Sequence, residues 1–228
     1  MIELLLVIAV IVVLAALAYP TFIGIQERAK ATKDMNNLRQ IGIATQLYLN
    51  DNDGALPGST TVSWMSQLHP KYLSSWNVFL SPFDPVTNPA TPSRTASEDD
   101  TNAAVSYGIN PNIYPPPNNM AISADKISKP TTFILFAPAQ DNSVATVLFQ
   151  GMAGTAPPGV IENAGTSNAG LATGGTHSTR RRINALFADL HIENMPWGGG
   201  GVTFTNNTAN PPSDPDGNLR WTPYTPYP

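Results

Sequence analysis

Between Leu4 and Ala18 the chain carries no charge and no strongly polar side chain, and the one ionisable group beside this run is Glu3 at its leading edge. A segment like this must be helical, because in an apolar surrounding only a helix satisfies its own backbone polar groups. At 1.5 Å per residue, Leu4 to Ala18 extends only about 22 Å, whereas Met1 to Phe22 reaches about 33 Å, enough to cross a bilayer with an acid near one end. A secretory signal peptide would place Lys or Arg ahead of the core and small residues at a cleavage site behind it. Here Tyr19 and Pro20 follow the core instead, and then a helical pattern. The expectation is a retained apolar helix in a membrane-born protein.

Glu3 has two readings. It can lie at headgroup level and snorkel outward, or it can await a positive group, for which the free α-amino group of another copy is the nearest candidate. An ionised acid in hydrocarbon costs a few kcal/mol, and a lone buried charge is penalised far more than a paired one. On the second reading Glu3 favours assembly.

After Pro20, the residues Ala31, Met35, Leu38, Ile41, Thr45 and Tyr48 recur at spacings of three and four, one apolar stripe on an amphipathic helix. The charges Glu27, Arg28, Lys30, Lys33, Asp34 and Arg39 are expected on the remaining face. Pro20 lacks a backbone donor and clashes with the preceding turn, so it should bend or locally unwind a rod of about fifty residues. Asp51-Asn52-Asp53-Gly54 should end that rod.

Farther on, short apolar runs alternate with Pro, Gly and Asn clusters. Val105 to Ile109, Thr132 to Ala137, Val144 to Gln150, Ile183 to Ala188 and Ile192 to Met195 read as strands, separated by intervals too short for crossover helices. A short helix is expected over Ser63 to His69, capped by Ser63. The economical arrangement is an antiparallel sheet on the apolar stripe, an α+β fold. The divisions are residues 1–22 as a transmembrane half-helix, 23–54 as its amphipathic half, 55–197 as a β-rich head and 198–228 as a Gly/Pro/Tyr-rich tail. In that tail Trp221, Tyr224 and Tyr227 are candidates to dock on the chain's own sheet or on a neighbouring subunit.

Little in the sequence points to catalysis: no phosphate-binding glycine loop, nucleophile elbow or HExxH pair is present. Asp189, His191 and Glu193 alternate along an expected strand, with His177 as a further candidate partner. A metal cluster and a plain solvent face both fit that alternation, and the solvent face is the simpler. Asp51-Asn52-Asp53-Gly54 and the stretch holding Asp214 and Asp216 resemble calcium-loop fragments without the distal bidentate Glu, so calcium is the one cofactor candidate. Asn206 opens a glycosylation sequon. The chain has no Cys, so nothing rests on disulfides. A formal net charge of −4 argues against nucleic acid as a partner. The basic cluster Arg180-Arg181-Arg182 reads as a solvated loop ahead of a strand, or as a contact for an acidic patch on a neighbouring subunit.

The order of acid, aliphatic run, aromatic-Pro and then a polar helix containing NNLRQIGIATQLYLNDNDGALP (Asn36 to Pro57) resembles the type IV pilin and pseudopilin superfamily. More narrowly, it is similar to the bacterial pilin-like set whose amino terminus is cleaved and methylated. Members of that set usually read Phe-Thr-Leu-Ile-Glu after the prepilin peptidase site, and Glu3 and Pro20 keep the family's spacing of glutamate and proline. Measured so, this chain starts two residues late, and neither leader nor methylation is legible in it. WMSQLHPKYL (64–73), VFLSPFDP (78–85), SYGIN (106–110) and TTFILFA (131–137) follow in the family's order. The family's closing signature, His followed by Asn-x-Leu-Phe-x-Asp-Gly-His, is echoed by His177 and Asn184 to His191. Leu190 stands where the family has glycine, which puts the tight turn in question, and Ser81 lies where the family's structures carry a cysteine.

The resemblance covers most of the chain. It implies a pilin-like α+β subunit of an extracellular helical filament, itself not an enzyme, whose partners are identical subunits, a prepilin peptidase, an inner-membrane assembly platform and the membrane before assembly. It places the precursor in the bacterial inner membrane and the product at the cell surface. A secretion pseudopilin and a membrane-anchored calcium- or glycan-binding protein that never polymerises are the alternatives.

Overall fold

A computed structural model describes residues 2–58, 64–83, 106–117, 120–138, 176, 182–196, 219–220 and 222–224. Helix α1 runs from Ile2 to Asp51, helix α2 from Trp64 to Leu68, and strands β1 (Tyr107–Ile109), β2 (Ile134–Pro138), β3 (Arg182–Phe187) and β4 (Ile192–Pro196) follow, with single 3-10 turns between. The four strands form one antiparallel sheet in the order β1-β2-β3-β4. The fold is α+β, a long amino-terminal helix packed on a small antiparallel sheet. The expected strand over Val144 to Gln150 lies outside the described residues, as do Val105 and the capping Ser63.

α1 ends where its sequence says it should. Gly54 takes φ +77° and its N–H donates to the Leu49 carbonyl at 2.9 Å, closing the last turn, while Asp53 also adopts a positive φ of 53°. Within that turn Asp51, the last residue of α1, accepts from Lys71 Nζ at 2.8 Å and from Tyr72 Oη at 2.9 Å, which hold its carboxyl below the ordinary range, the lysine contact first. Asp51-Asn52-Asp53-Gly54 is thus a helix cap tied to the loop after α2.

The apolar stripe packs as anticipated at its centre. Leu38, Ile41 and Thr45 are fully buried, and Ala31, Met35 and Tyr48 are half-buried at its margins. Thr45 is tolerated because its hydroxyl donates to the Ile41 carbonyl at 2.8 Å. Against the stripe lies an aromatic cluster: Trp64 meets Phe79 and Phe136 edge-on at 5.3 and 4.8 Å, and Phe79 meets Trp76 at 5.0 Å.

β3 alternates as a two-faced strand. Asn184 reaches α1 and Leu186 joins the helix-side core, while Ile183, Ala185 and Phe187 enter a second buried cluster with Ile134, Ala137 and Met195. Ile134 and Ala137 share that cluster although they stand three positions apart, an odd step along a strand. The β2–β3 register shifts between Ile134 and Phe136, and the extra residue resets the phase so that Leu135 and Phe136 both serve the helix side.

The turn between β3 and β4 forms with Leu190 at its tip. Leu190 occupies the left-handed region at φ 70°, its N–H bonds the Phe187 carbonyl at 3.0 Å, and Phe187 N–H bonds the His191 carbonyl at 3.0 Å. A Cβ on Gly42 would lie 3.6 Å from Leu190 Cδ2, so the leucine side chain reaches across to α1. That packing offsets the backbone cost of about 1 kcal/mol or more for a non-glycine residue in this region.

Candidate assembly surface

α1 has two halves with opposite surroundings. From Leu4 to Leu17 the large aliphatic side chains are 49% to 71% exposed, and Phe22, Ile23 and Ile25 continue the exposed apolar surface. Burying one such side chain is worth about 1.5–3 kcal/mol, so this half forgoes on the order of 20 kcal/mol in the single chain. Glu3 is exposed in the first helical turn. The segments Glu3–Leu17 and Phe22–Asp51 are inclined by 40° across residues 18–21, where Pro20 sits, although the chain stays helical there. Among the described residues no single helix is long and apolar enough to cross a membrane, and this bent pair passes by length and composition taken together.

The other half is anchored by a buried acid. The repeat placed Asp34 with the exposed charges; the structure buries it completely. Its Oδ1 accepts from Ser81 Oγ at 2.5 Å and Tyr107 Oη at 2.6 Å, and its Oδ2 accepts from Asn184 Nδ2 at 2.8 Å. Three donors from three separate segments compensate its desolvation. The network continues outward: Asn184 Oδ1 accepts from Asn194 Nδ2 at 2.8 Å, and the Arg182 guanidinium donates to both the side-chain and the main-chain oxygen of Asn194. Asn37 adds a bond to the Leu80 carbonyl at 2.8 Å. Tyr107 is buried beside the carboxylate, and burial first, then the Asp34 charge, push its phenol well above its ordinary pKa. A periodicity argument missed this site because it sorts residues by type, and an acid inside a stripe looks like an acid beside one. The available signal was the presence of Tyr107, Ser81 and Asn184 in otherwise apolar runs.

Arg182 is the first residue of β3 and half-buried, so within the basic cluster it is held rather than solvated; Arg180 and Arg181 lie outside the described residues. Asp189, His191 and Glu193 are all exposed on the β3–β4 hairpin, and His191 Nδ1 contacts Asp189 Oδ1 at 2.5 Å while its ring stacks on Phe187 at 4.2 Å. Among the described residues no group of three or more His, Cys, Asp or Glu side chains could hold a metal ion. His177, Asn206, Asp214, Asp216, Trp221 and Tyr227 lie outside the described residues. Tyr224 packs at the edge of the chain's own core, and the Pro223 carbonyl accepts from Ser128 N–H at 2.7 Å, so this part of the tail docks intramolecularly.

Comparisons with family models, with characterised proteins and with solved structures give no match to this chain.

Proposed function

We propose that this chain is the structural subunit of an extracellular helical filament of the type IV pilus kind, and that it acts by assembling rather than by catalysis. The observation that carries the reading is the exposed apolar half of α1 joined, without a break in the helix, to a half fixed in a folded head. A rod of that kind is stable in lipid and equally stable among identical rods. Moving between the two keeps its surface dry, and the head sets how far each copy can slide.

In this reading the precursor waits in the inner membrane, a prepilin peptidase removes a short leader, and an assembly platform passes the rod into a central bundle. Glu3, satisfied by the α-amino group of a neighbouring copy, sets the register. Contacts between copies are head-to-tail and non-closing, the geometry a fibre requires. The 40° inclination near Pro20 lets the rod leave the head's axis to enter the bundle.

The test is electron microscopy of material sheared from the cell surface, with mass measurement of its main subunit. Fibres composed chiefly of this chain are expected. A trace share would place it among minor or secretion pseudopilins. Glu3→Ala should shorten or abolish fibres while the protein stays in the membrane. A monomeric detergent extract with Glu3→Ala harmless would instead indicate an anchored surface protein that does not polymerise.

A further inference from the structure

Where the apolar surface of α1 ends, cationic side chains begin. Ile25, at 62% exposure, closes the continuous exposed apolar run, the next large exposed aliphatics of α1 being Ile43 and Leu47, and Arg28, Lys30 and Lys33 follow it, all exposed. The head begins at the same level, since Asn184 Nδ2 reaches the Ala31 carbonyl at 3.3 Å and Asp34 is sealed inside. Among the described residues Arg28, Lys30 and Lys33 form no ion pair. At about 100° per residue, positions 28, 30 and 33 point to about 0°, 200° and 140° around the axis, so the charges encircle the helix rather than line one side. The acids of this stretch are the half-buried Glu27 and the buried Asp34. The collar is thus locally positive on a protein whose formal net charge is −4.

We infer that this collar binds the anionic phosphate headgroups of the leaflet on the head's side while the rod is in the membrane, an inference that rests on the membrane-stored state proposed above. The depth agrees. Leu4 to Ile25 covers about 33 Å of helix, close to the hydrocarbon thickness of about 30 Å. Arg28 then lies about 4.5 Å beyond the last apolar residue and Lys33 about 12 Å beyond it. The headgroup layer is about 5–8 Å thick, and long cationic side chains can lean back into it. An acidic surface on a second copy would satisfy the same charges, but it would not explain why they begin where the apolar surface stops. Arg39, about 21 Å beyond Ile25, lies too far out to take part. Anionic lipid therefore holds the head at a fixed height above the bilayer and gives up those contacts when the rod is extracted.

The full chain is reconstituted into phosphatidylcholine vesicles with and without about one-fifth phosphatidylglycerol. Flotation measures incorporation, and electron paramagnetic resonance of spin-labelled phosphatidylglycerol or phosphatidylcholine measures which lipid associates with the protein. Three cations at about 1 kcal/mol each set an upper limit near a hundredfold; partial neutralisation by Glu27 and screening reduce the expected preference for phosphatidylglycerol to about tenfold at low salt. It should fall towards unity in high salt and in the R28Q/K30Q/K33Q variant, and persist in Arg39→Gln. Equal association of both lipids with the incorporated wild type overturns the inference, as does a preference that survives the triple substitution. Carboxyl-to-amine cross-linking of Lys30 or Lys33 to a second copy, without lipid preference, also overturns it and assigns the collar to a protein partner. A chain that floats with neither vesicle removes the membrane-stored state itself, an outcome distinct from incorporation without selectivity.

Discussion

The two halves of α1 share one backbone and meet opposite fates. Beyond Ala31 the helix is ordered by its neighbours: a stripe of Leu38, Ile41 and Ala44 is buried, and Asp34 ties it by hydrogen bonds to the loop at Ser81, to β1 and to β3. From Leu4 to Ile25 the large aliphatic side chains among the described residues lie open. The head half is buried within one chain, whereas the rod half leaves its apolar surface open. On the function proposed above, stability and assembly fall to different residues of one helix, and substitutions should separate them.

The largest effect is expected at Asp34. Asp34→Ala removes the acceptor of the Tyr107 and Ser81 hydroxyls and leaves Asn184 Nδ2 only the Ala31 carbonyl at 3.3 Å, and a buried unsatisfied group costs about 1–3 kcal/mol. A loss of about 3 kcal/mol follows, lowering the head's Tm in detergent by about 10 °C on the scale for chains of this size. Calorimetry or circular dichroism reads it directly. A Tm unchanged within about 2 °C would mean that the head does not hold the helix through this acid. The opposite control is Val12→Ala in the rod, whose side chain is 66% exposed. It should leave the head's Tm unchanged, and any effect should appear in the yield or length of fibres.

Next in size is an alkaline loss of stability. Tyr107 and Tyr114 are both held above their ordinary pKa near 10, Tyr107 by burial and then the Asp34 charge, Tyr114 by burial and then Tyr48. A raised phenol pKa means that the unfolded chain releases its proton first. The contribution is fully present below about pH 10 and is lost as pH climbs from there towards the folded value. Denaturant titrations between pH 8 and 12 should show stability falling above about pH 10. Tyr107→Phe should start lower at neutral pH, by about 1–2 kcal/mol for the lost bond to Asp34, and then fall less steeply. An equal slope in both proteins would show that Tyr107 does not ionise on unfolding.

The architecture was legible wherever local pattern and tertiary packing agree. The rod, its end at Gly54, α2 and the four described strands all sit at turn-bounded apolar runs. Strand limits moved by a residue or two for identifiable reasons: Thr132 and Phe133 spend their N–H groups on the Lys129 carbonyl, so β2 begins at Ile134, and Ala188 N–H turns back to Phe133, so β3 stops at Phe187. What could not be read is the buried acid. Its donors lie 47, 73 and 150 residues away along the chain, and no spacing rule reaches that far. The rod offers the reverse case, being easy to recognise as apolar while its partner is not encoded in its own periodicity.

The smallest effect expected tests how the head's hairpin grips the helix. Leu190 carries a left-handed backbone but lays its side chain towards Gly42. Leu190→Gly relieves the backbone, a gain of about 1 kcal/mol, and forfeits the packing of a partly exposed side chain, a loss of similar size. The net change should be within about 1 kcal/mol of zero. Leu190→Ala keeps the strain and loses most of the contact, so it should be the less stable of the two variants by about 1 kcal/mol, an ordering that propensity alone also predicts at a positive φ. The two explanations part at Gly42→Ala, whose new methyl would sit 3.3 Å from Leu186 Cδ1 and Cδ2 and 3.6 Å from Leu190 Cδ2. If Leu190 packs on the helix, the Gly42→Ala and Leu190→Ala effects on Tm should be non-additive in a double-mutant cycle. Additive effects would leave the turn conformation as the whole role of Leu190 and reduce the grip on this part of α1 to Leu186 and the Asp34 network.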